Sequence, residues 1–478
     1  MRTPSCPTRR SLGGISILAK ACPARPPAGR SLCCALTPLS RAIAQLSCEF
    51  SLESVVVLRL AMLIQFRVEN HRSLRDEAVL SLNSASGEGL QGAGLSLLPA
   101  VALYGANASG KSNVLQALRF MRDAVVNSHR RWEPDGGVPT EPFALSSKKH
   151  EPSLYEIDAV INGDRVRYGF VVSAKRVDEE WLHVWPSGKK QVWFEREGDD
   201  FEFGRKLHGD NAAIRGLTRD NSLFVAVAAQ NNHQALTPIF RWFRTIQINA
   251  PRIYSRGFAP GPFLAEMFSK QLGLFDEDSE ARDRDAVLEL LKVADTGIID
   301  VRIGEADDRM YTRGLRRRTQ LQFRHKSEEH DDEGSWLPLE VESAGTVALI
   351  ELAPRLSAAL RNGNLVCLDE MEASLHPMLA VALLRLFQDP KRNPRGAQLL
   401  FTTHDTNLLG TIHGEPALRR DQIWFTEKDT AGATHLYPLT DFQPRKQENL
   451  ERGYLQGRYG AVPFIGDLLP LQDEKRSD

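Results

Sequence analysis

The chain has 478 residues, enough for two or three domains or for one large domain with insertions. It is 42% hydrophobic and 25% charged, with 60 Lys and Arg against 61 Asp and Glu, which excludes a disordered, collagen-like or disulfide-scaffold chain. The balanced charge gives no basis for a nucleic-acid- or membrane-coating surface. The longest apolar runs, Ser54–Ile64 and Leu97–Tyr104, fall short of the roughly 18–20 residues that span a bilayer.

Residues 1–61 do not match the rest. Five of the six cysteines lie there (Cys6, Cys22, Cys33, Cys34 and Cys48), and the segment carries a net charge of +6, leaving −7 for Met62–Asp478. It is rich in Pro, Ser and Ala, without a period that would bury a core. We expect a disordered or mis-called upstream extension with Met62 as the true start; an Arg- and Ser-rich transit peptide is the alternative. The cysteines lack the C-x2-C spacing of a metal site. Beyond Met62 only Cys367 remains, which fits a reducing cytoplasm.

From Met62 the pattern predicts strands at Met62–Val68 and Ala78–Leu82. Ala100–Tyr104 is a short, continuous apolar run, as expected of a buried parallel strand, and a helix follows at Lys111–Ser128 with Val114, Leu115, Leu118 and Met121 at helical spacing. Alternating segments at Ser153–Ile161, Arg165–Ala174, Glu180–Trp185 and Gln191–Glu195 predict an antiparallel meander, its first turn marked by Asn162-Gly163. Between Asn211 and Thr296 the pattern turns helical, for example over Asp283–Ala294, and Leu223–Ala229 reads as core. A strand pair is expected at Ile298–Ile303 and Gln320–His325. Next come a helix at Gly345–Arg361, a strand at Asn364–Asp369, a helix at His376–Gln388 and a strand at Ala397–Thr402. Helix–strand alternation of this kind gives an α/β fold with a mixed, partly parallel central sheet, an antiparallel β subdomain and a helical insertion. The expected divisions are 62–210, holding the phosphate loop and meander; 211–300, the helical insertion; and 301–478, the C-terminal part. No 20–50-residue repeat and no sustained heptads appear.

Gly105-Ala106-Asn107-Ala108-Ser109-Gly110-Lys111-Ser112, followed by Asn113, matches G-x-x-x-x-G-K-[ST] between an apolar strand and an amphipathic helix. Such a loop turns successive backbone N–H groups and a helix N-terminus toward a phosphate. Lys111 supplies a charge for the β/γ-phosphates and Ser112 a hydroxyl for Mg²⁺. The strand Asn364–Leu368 ends in Asp369 and Glu370, and two carboxylates at the end of an apolar strand call for a use. Asp369 is placed to hold Mg²⁺, and Glu370 to orient and deprotonate an attacking water. A second strand ends in Thr402-Thr403-His404-Asp405, where His404 is able to register a γ-phosphate.

In this order, with Glu342-Ser343-Ala344-Gly345-Thr346 and Ser374-Leu375-His376-Pro377 between them, these motifs resemble the ABC-type AAA ATPases, relatives of the RecF, SMC and overcoming-lysogenization-defect ATPases. The group resembled most is that of bacterial ATPase subunits from anti-phage, abortive-infection or restriction-linked operons. Phe66–Ser73 at the start and Gly457–Pro463 near the end also fit. The resemblance implies a P-loop fold, ATP and Mg²⁺ as ligands, and a head-to-tail homodimer. Ser343, Gly345 and Thr346 would then touch the γ-phosphate held by the other copy, with Glu370 as base and His404 as switch. It also implies an effector, such as a nuclease or toxin-like protein encoded nearby, and contact with DNA or RNA. The signature departs from the transporter form Leu-Ser-Gly-Gly-Gln, no Q-loop glutamine is evident, and there are neither SMC-like arms nor an acidic nuclease domain after His404. An ATP-driven dimer switch is the first reading; a membrane-transporter ATPase subunit and a non-hydrolysing nucleotide sensor are the alternatives.

Two basic stretches, Arg313–Lys326 and His129–Trp132, could meet phosphates. The first is followed by Glu328, Glu329, Asp331, Asp332 and Glu333, which reads more simply as self-neutralising loop charge. Trp181, Trp185, Trp193 and Phe194 read as sheet packing rather than as base-stacking platforms.

Overall fold

One long helix packs between two β-sheets in the computed structural model of the protein, which describes residues 61–249, 288–289, 291–292, 297–305, 319–326, 336–410, 416–445 and 448–462. The extension read over residues 1–61 lies outside these residues except for Ala61. So do most of the helix expected at Asp283–Ala294, where Leu288, Glu289, Leu291 and Lys292 are helical, and the basic run from Arg313 to Arg318.

The chain enters as β1 (Ala61–Glu69) and β2 (Ala78–Ser81), an antiparallel pair with Phe66 opposite Leu80. A small hairpin, β3 (Leu90–Gly92) and β4 (Leu95–Leu97), leads to β5 (Ala100–Gly105), buried at every residue. Helix α1 (Lys111–Asn127) follows. The meander is β6 (Ser153–Ile161), β7 (Asp164–Val172), β8 (Val177–Trp185), β9 (Gln191–Glu197) and a further strand, β10 (Asp200–Phe203). Asn162 and Gly163 both take positive φ, 56° and 91°, as a two-residue hairpin turn requires. These strands and the first pair form one antiparallel sheet in the order β10-β9-β8-β7-β6-β1-β2.

Three short helices come next: α2 (Asn211–Leu217), α3 (Phe224–Gln230) and α4 (Thr237–Thr245). The Leu223–Ala229 run is the buried helix α3. Its start is fixed by the buried Glu180, which accepts from the N–H groups of Phe224 (2.7 Å) and Val225 (3.2 Å). The helical span read over 211–300 also holds a strand, β11 (Gln247–Asn249). Three residues are too few to show a period; this strand exists because it pairs with a neighbour distant in sequence. Strands β12 (Ile298–Glu305), β13 (Thr319–His325) and β14 (Trp336–Pro338) make a separate antiparallel sheet.

The C-terminal half alternates as expected: α5 (Ala344–Asn362), β15 (Leu365–Leu368), α6 (Met371–Ser374), α7 (Pro377–Gln388), β16 (Gln398–Thr402), β17 (Ile423–Lys428), β18 (Thr434–Pro438) and α8 (Leu450–Leu455). The second sheet runs β11-β15-β16-β5-β17-β18, parallel except for its last pair. This is a mixed central sheet with an antiparallel β subdomain and helices.

Strand β5 joins the two cores. Val101 and Leu103 pack on one face with Val114, Leu115, Leu118 and Met121 of α1 and with Phe66, Tyr155 and Ile157 of the antiparallel sheet. Ala100, Ala102 and Tyr104 face the other way, toward Ile350 and Leu356 of α5 and Leu384 of α7. Each large apolar side chain buried this way contributes about 1.5–3 kcal/mol. A bulge in β1 between Leu63 and Gln65 breaks the ladder to β6. The buried Gln398 repairs it, donating to Leu63 O (3.0 Å) and accepting from Leu63 N (2.6 Å), and so ties one sheet to the other.

Candidate functional site

In a parallel sheet, strands running the same way deliver their C-terminal ends to one edge. Strands β15, β16 and β5 are neighbours, so the acidic pair, the Thr402–Asp405 segment and the glycine-rich loop arrive together although they are far apart in sequence.

The loop is braced from three sides. Lys111, 5% exposed, donates from Nζ to Gly105 O (2.8 Å) and Ala106 O (3.1 Å). Ser109 Oγ lies 2.6 Å from Thr426 Oγ1 of β17. A relay of donors then runs from Asn113 Nδ2 to Ser73 Oγ (2.6 Å), from Ser73 to Thr434 Oγ1 of β18 (2.7 Å), and from Thr434 to Ser109 O (2.8 Å). Gly110, at φ 107°, opens α1; a Cβ there would stand 2.1 Å from Thr434 Oγ1. At Gly105 it would stand 2.5 Å from Ser109 Oγ and Thr426 Oγ1. Asn107 and Ala108 are exposed, and Ala108 takes a left-handed φ of 61°. The turn thus keeps its shape through packing as well as through glycine freedom.

Asp369 meets this motif directly. Asp369 Oδ1 accepts from Ser112 Oγ (2.9 Å) and from Thr402 Oγ1 (2.7 Å), and Thr402 Oγ1 in turn accepts from Glu370 N (2.7 Å). Glu370 stands at φ 52°, a conformation costly for a residue with a side chain and one concentrated at functional sites. His404 N donates to Glu372 Oε1 (2.6 Å), and Tyr104 OH donates to Asp405 O (3.1 Å). Burial lowers the Lys111 ammonium to about 8, against the upward pull of Glu372, Glu370 and Asp369. Burial, and then the Lys111 charge, hold His404 below the usual imidazole range, with the same three carboxylates opposing. Lys111, His404 and the acids therefore form one electrostatic cluster.

Ser343, Gly345 and Thr346 stand elsewhere. Ser343 caps α5, accepting from Thr346 N (3.1 Å) with its Oγ 2.8 Å from Thr346 Oγ1. Ser343 and Gly345 are exposed, and no hydrogen bond joins these three residues to the loop or the acids among the described residues. Glu342 is held by His325 Nε2 of β13 at 2.7 Å.

Among the described residues no cluster of three or more His, Cys, Asp or Glu is arranged to hold a metal ion by itself. A hydroxyl beside a carboxylate, as at Ser112 and Asp369, suits Mg²⁺, which takes few protein ligands and completes its shell with phosphate oxygens and water. Among the described residues no helix is long and apolar enough to cross a membrane. A cleft of about 490 Å³ lined by His208, Asp210, Leu217, Asn231 and His233 shares no residue with the loop.

Thr426, Thr434 and Glu372, and the bond that Thr402 makes to Asp369, have no signal in the sequence. Hydroxyls inside strands read as ordinary strand residues, and only the fold brings them to the loop. The aromatic residues of the meander do pack on the sheet: Phe194 is fully buried, Trp181 Nε1 donates to Glu156 (2.8 Å), and Arg165 and Arg167 stack on Trp185.

Residues 100–410 match the family described as "AAA domain, putative AbiEii toxin, Type IV TA system". Among solved structures the chain is similar to the SMC head domain from Thermotoga maritima, at 13% identity and a TM-score of 0.36 over 79% of this chain and 98% of that one. It is also similar to an SmcHead bound to the C-winged helix domain of ScpA (12%, 0.40, 78% and 97%). A third is an Smc head domain with an extended coiled coil bound to the C-terminal domain of ScpA derived from Pyrococcus furiosus (11%, 0.39, 84% and 99%). No curated protein matches the chain.

Proposed function

The chain belongs to this AAA family and is an ABC-type P-loop ATPase, and from that premise we propose that it hydrolyses ATP to ADP and phosphate as an ATP-dependent dimer switch. What supports this reading is the 2.9 Å hydrogen bond between Ser112 Oγ and Asp369 Oδ1, which joins the end of the glycine-rich loop to the acidic strand end across 257 residues of sequence.

The start of α1 and the loop N–H groups that are not already bonded within it, as those of Ser109 and Asn113 are, face the phosphates, and the Lys111 ammonium moves from the loop carbonyls to the β/γ-phosphates. Ser112 and Asp369 would hold Mg²⁺, which would supply charge neutralisation on the phosphate oxygens. Glu370 orients a water and takes its proton as the water oxygen attacks the γ-phosphorus and the bond to the β-phosphate oxygen breaks. His404, kept neutral by burial and Lys111, donates to a γ-phosphate oxygen and registers its presence. Ser343 and Gly345, both exposed, and the half-buried Thr346 share no hydrogen bond with this cluster and complete the site of a second copy, where the α5 N-terminus adds its dipole to the γ-phosphate.

Dimerisation on ATP and separation after hydrolysis would drive an effector, in keeping with the toxin–antitoxin wording of the family. A nuclease or toxin-like partner, and DNA or RNA as its target, is the setting we infer for it, in anti-phage defence. The test is phosphate release and sedimentation velocity with Mg²⁺–ATP for the wild type and Glu370→Gln. We expect turnover in the wild type, a fall of roughly 10²–10⁴-fold in the variant, and a trapped ATP-bound dimer. Equal, near-zero rates in both would make the protein a nucleotide sensor; unchanged sedimentation would remove the dimer.

A further inference from the structure

We propose that Glu372 is a positioning residue for His404, its carboxylate fastening the backbone of the histidine segment to the turn that carries Asp369 and Glu370. The proposal rests on the ATPase reading above and names a residue that this reading leaves without a task.

The reason lies where the sheet stops. The ladder between β15 and β16 ends at the pair Leu368 and Phe401, and β16 keeps β5 as a partner only to Thr402 opposite Leu103. Beyond that point the chain carrying His404 needs other restraints. Thr403 N donates to Leu103 O (3.1 Å) and Tyr104 OH to Asp405 O (3.1 Å), both tying the segment to β5. Toward the acidic side, the bond from His404 N to Glu372 Oε1 at 2.6 Å is short and charge-assisted, the stronger class of hydrogen bond. Glu372 is therefore the restraint that fixes His404 relative to Glu370, two residues before it.

The carboxylate is not a solvated surface acid. Its Oε2 is buried and has no hydrogen-bond partner among the described residues, an arrangement that costs free energy unless something offsets it. Lys111 provides the offset: Glu372 exerts the largest upward pull of any charge on that ammonium. One carboxylate thus faces both the phosphate-binding lysine and the backbone of the histidine. Because an error of about 1 Å in a reacting group can cost about 100-fold in rate, a loosened His404 should lower turnover without changing how ATP is first held.

The experiment uses the full chain with Mg²⁺–ATP and compares Glu372→Ala, Glu372→Gln, His404→Ala and the double variant Glu372→Ala/His404→Ala. Glu372→Ala is expected to lower kcat about tenfold or more while KM stays within about threefold. Glu372→Gln keeps an oxygen that accepts the same N–H and should recover most of the rate. The double variant should be no slower than His404→Ala, because both changes act through one histidine. Hydrogen exchange at the His404 amide should quicken in Glu372→Ala and remain protected in Glu372→Gln. The proposal is overturned by a Gln variant as slow as Ala, by losses that multiply in the double variant, or by an amide whose protection does not depend on Glu372. A wild type without turnover would defeat the ATPase reading instead, and the exchange measurement would then decide the Glu372 bond by itself.

Discussion

At Gly110 an added Cβ would lie 2.1 Å from Thr434 Oγ1, whereas at Gly345 the nearest heavy atom it would meet among the described residues is Ser343 Oγ at 3.9 Å. Both glycines sit at the N-terminal end of a long helix, α1 in one case and α5 in the other. Gly110 is demanded by this chain: its φ is left-handed and β18 presses against it. Gly345 has an ordinary helical position, and among the described residues nothing presses on it or requires a glycine there. The glycine-rich corner is braced by Ser73, Thr426 and Thr434 from distant strands; the Ser343–Thr346 corner is held only by its own cap and by His325 on Glu342, with Ser343 and Gly345 exposed. On the dimer reading proposed above, a second copy approaches this backbone closely.

Breaking the braced corner should have the largest effect. Gly110→Ala combines left-handed strain with overpacking against Thr434, each costing about 1–3 kcal/mol, so a loss of roughly 4 kcal/mol is expected. Thermal unfolding checks it twice. The melting temperature should fall, and the rise that Mg²⁺–ATP gives the wild type should vanish, because a ligand stabilises only a fold that binds it. A variant that melts like the wild type and still responds to ATP would show that the Thr434 contact yields easily.

This contrast also marks what the sequence discloses. The loop, the acids and the helices around them are legible because each depends on a local pattern: a glycine spacing, an apolar run, a 3.6-residue period. The bracing is not. Thr426 and Thr434 lie more than 300 residues beyond the loop they hold, and the strands that carry them look no different from other strands. Strand β11 is three residues long and exists through its partner β15. Glu372 sits in plain view two residues after Glu370, but its bond is to a backbone N–H, and side-chain spacing carries no trace of which N–H a carboxylate will meet.

A second, smaller effect belongs to the same braced corner. His71 lies two residues before Ser73, fully buried, with Nδ1 2.9 Å from Tyr155 OH. Burial first, then the neighbouring Arg72, lower its imidazole to about 4, with Glu141 opposing. In the unfolded chain it titrates near its ordinary 6.5, so between about 6.5 and 4 the unfolded state binds more protons and stability rises with pH. The contribution is intact above the unfolded value and is lost as pH falls toward the folded one, up to about 3 kcal/mol. Urea unfolding at pH 7, 6, 5 and 4.5 should show this slope in the wild type and a shallower one in His71→Gln. An equal slope in both would place the acid sensitivity elsewhere.

The smallest effect on stability is expected at the open corner, and it tests the contrast most sharply. Gly345→Ala adds a methyl group where the nearest atom among the described residues is 3.9 Å away, in a helix where alanine is preferred over glycine by up to about 1 kcal/mol. Its melting temperature should match or slightly exceed that of the wild type, and one copy should still bind Mg²⁺–ATP, because Ser112, Asp369 and Lys111 are untouched. What it should lose is the dimer: combined with Glu370→Gln, the variant should sediment as a monomer at ATP concentrations that pair Glu370→Gln alone. Stability and ATP binding would then separate from pairing at one residue, as they must if Gly345 serves a second copy. If the melting temperature falls as it does for Gly110→Ala, the glycine has an internal task after all; if the dimer persists, the copies do not meet at this corner.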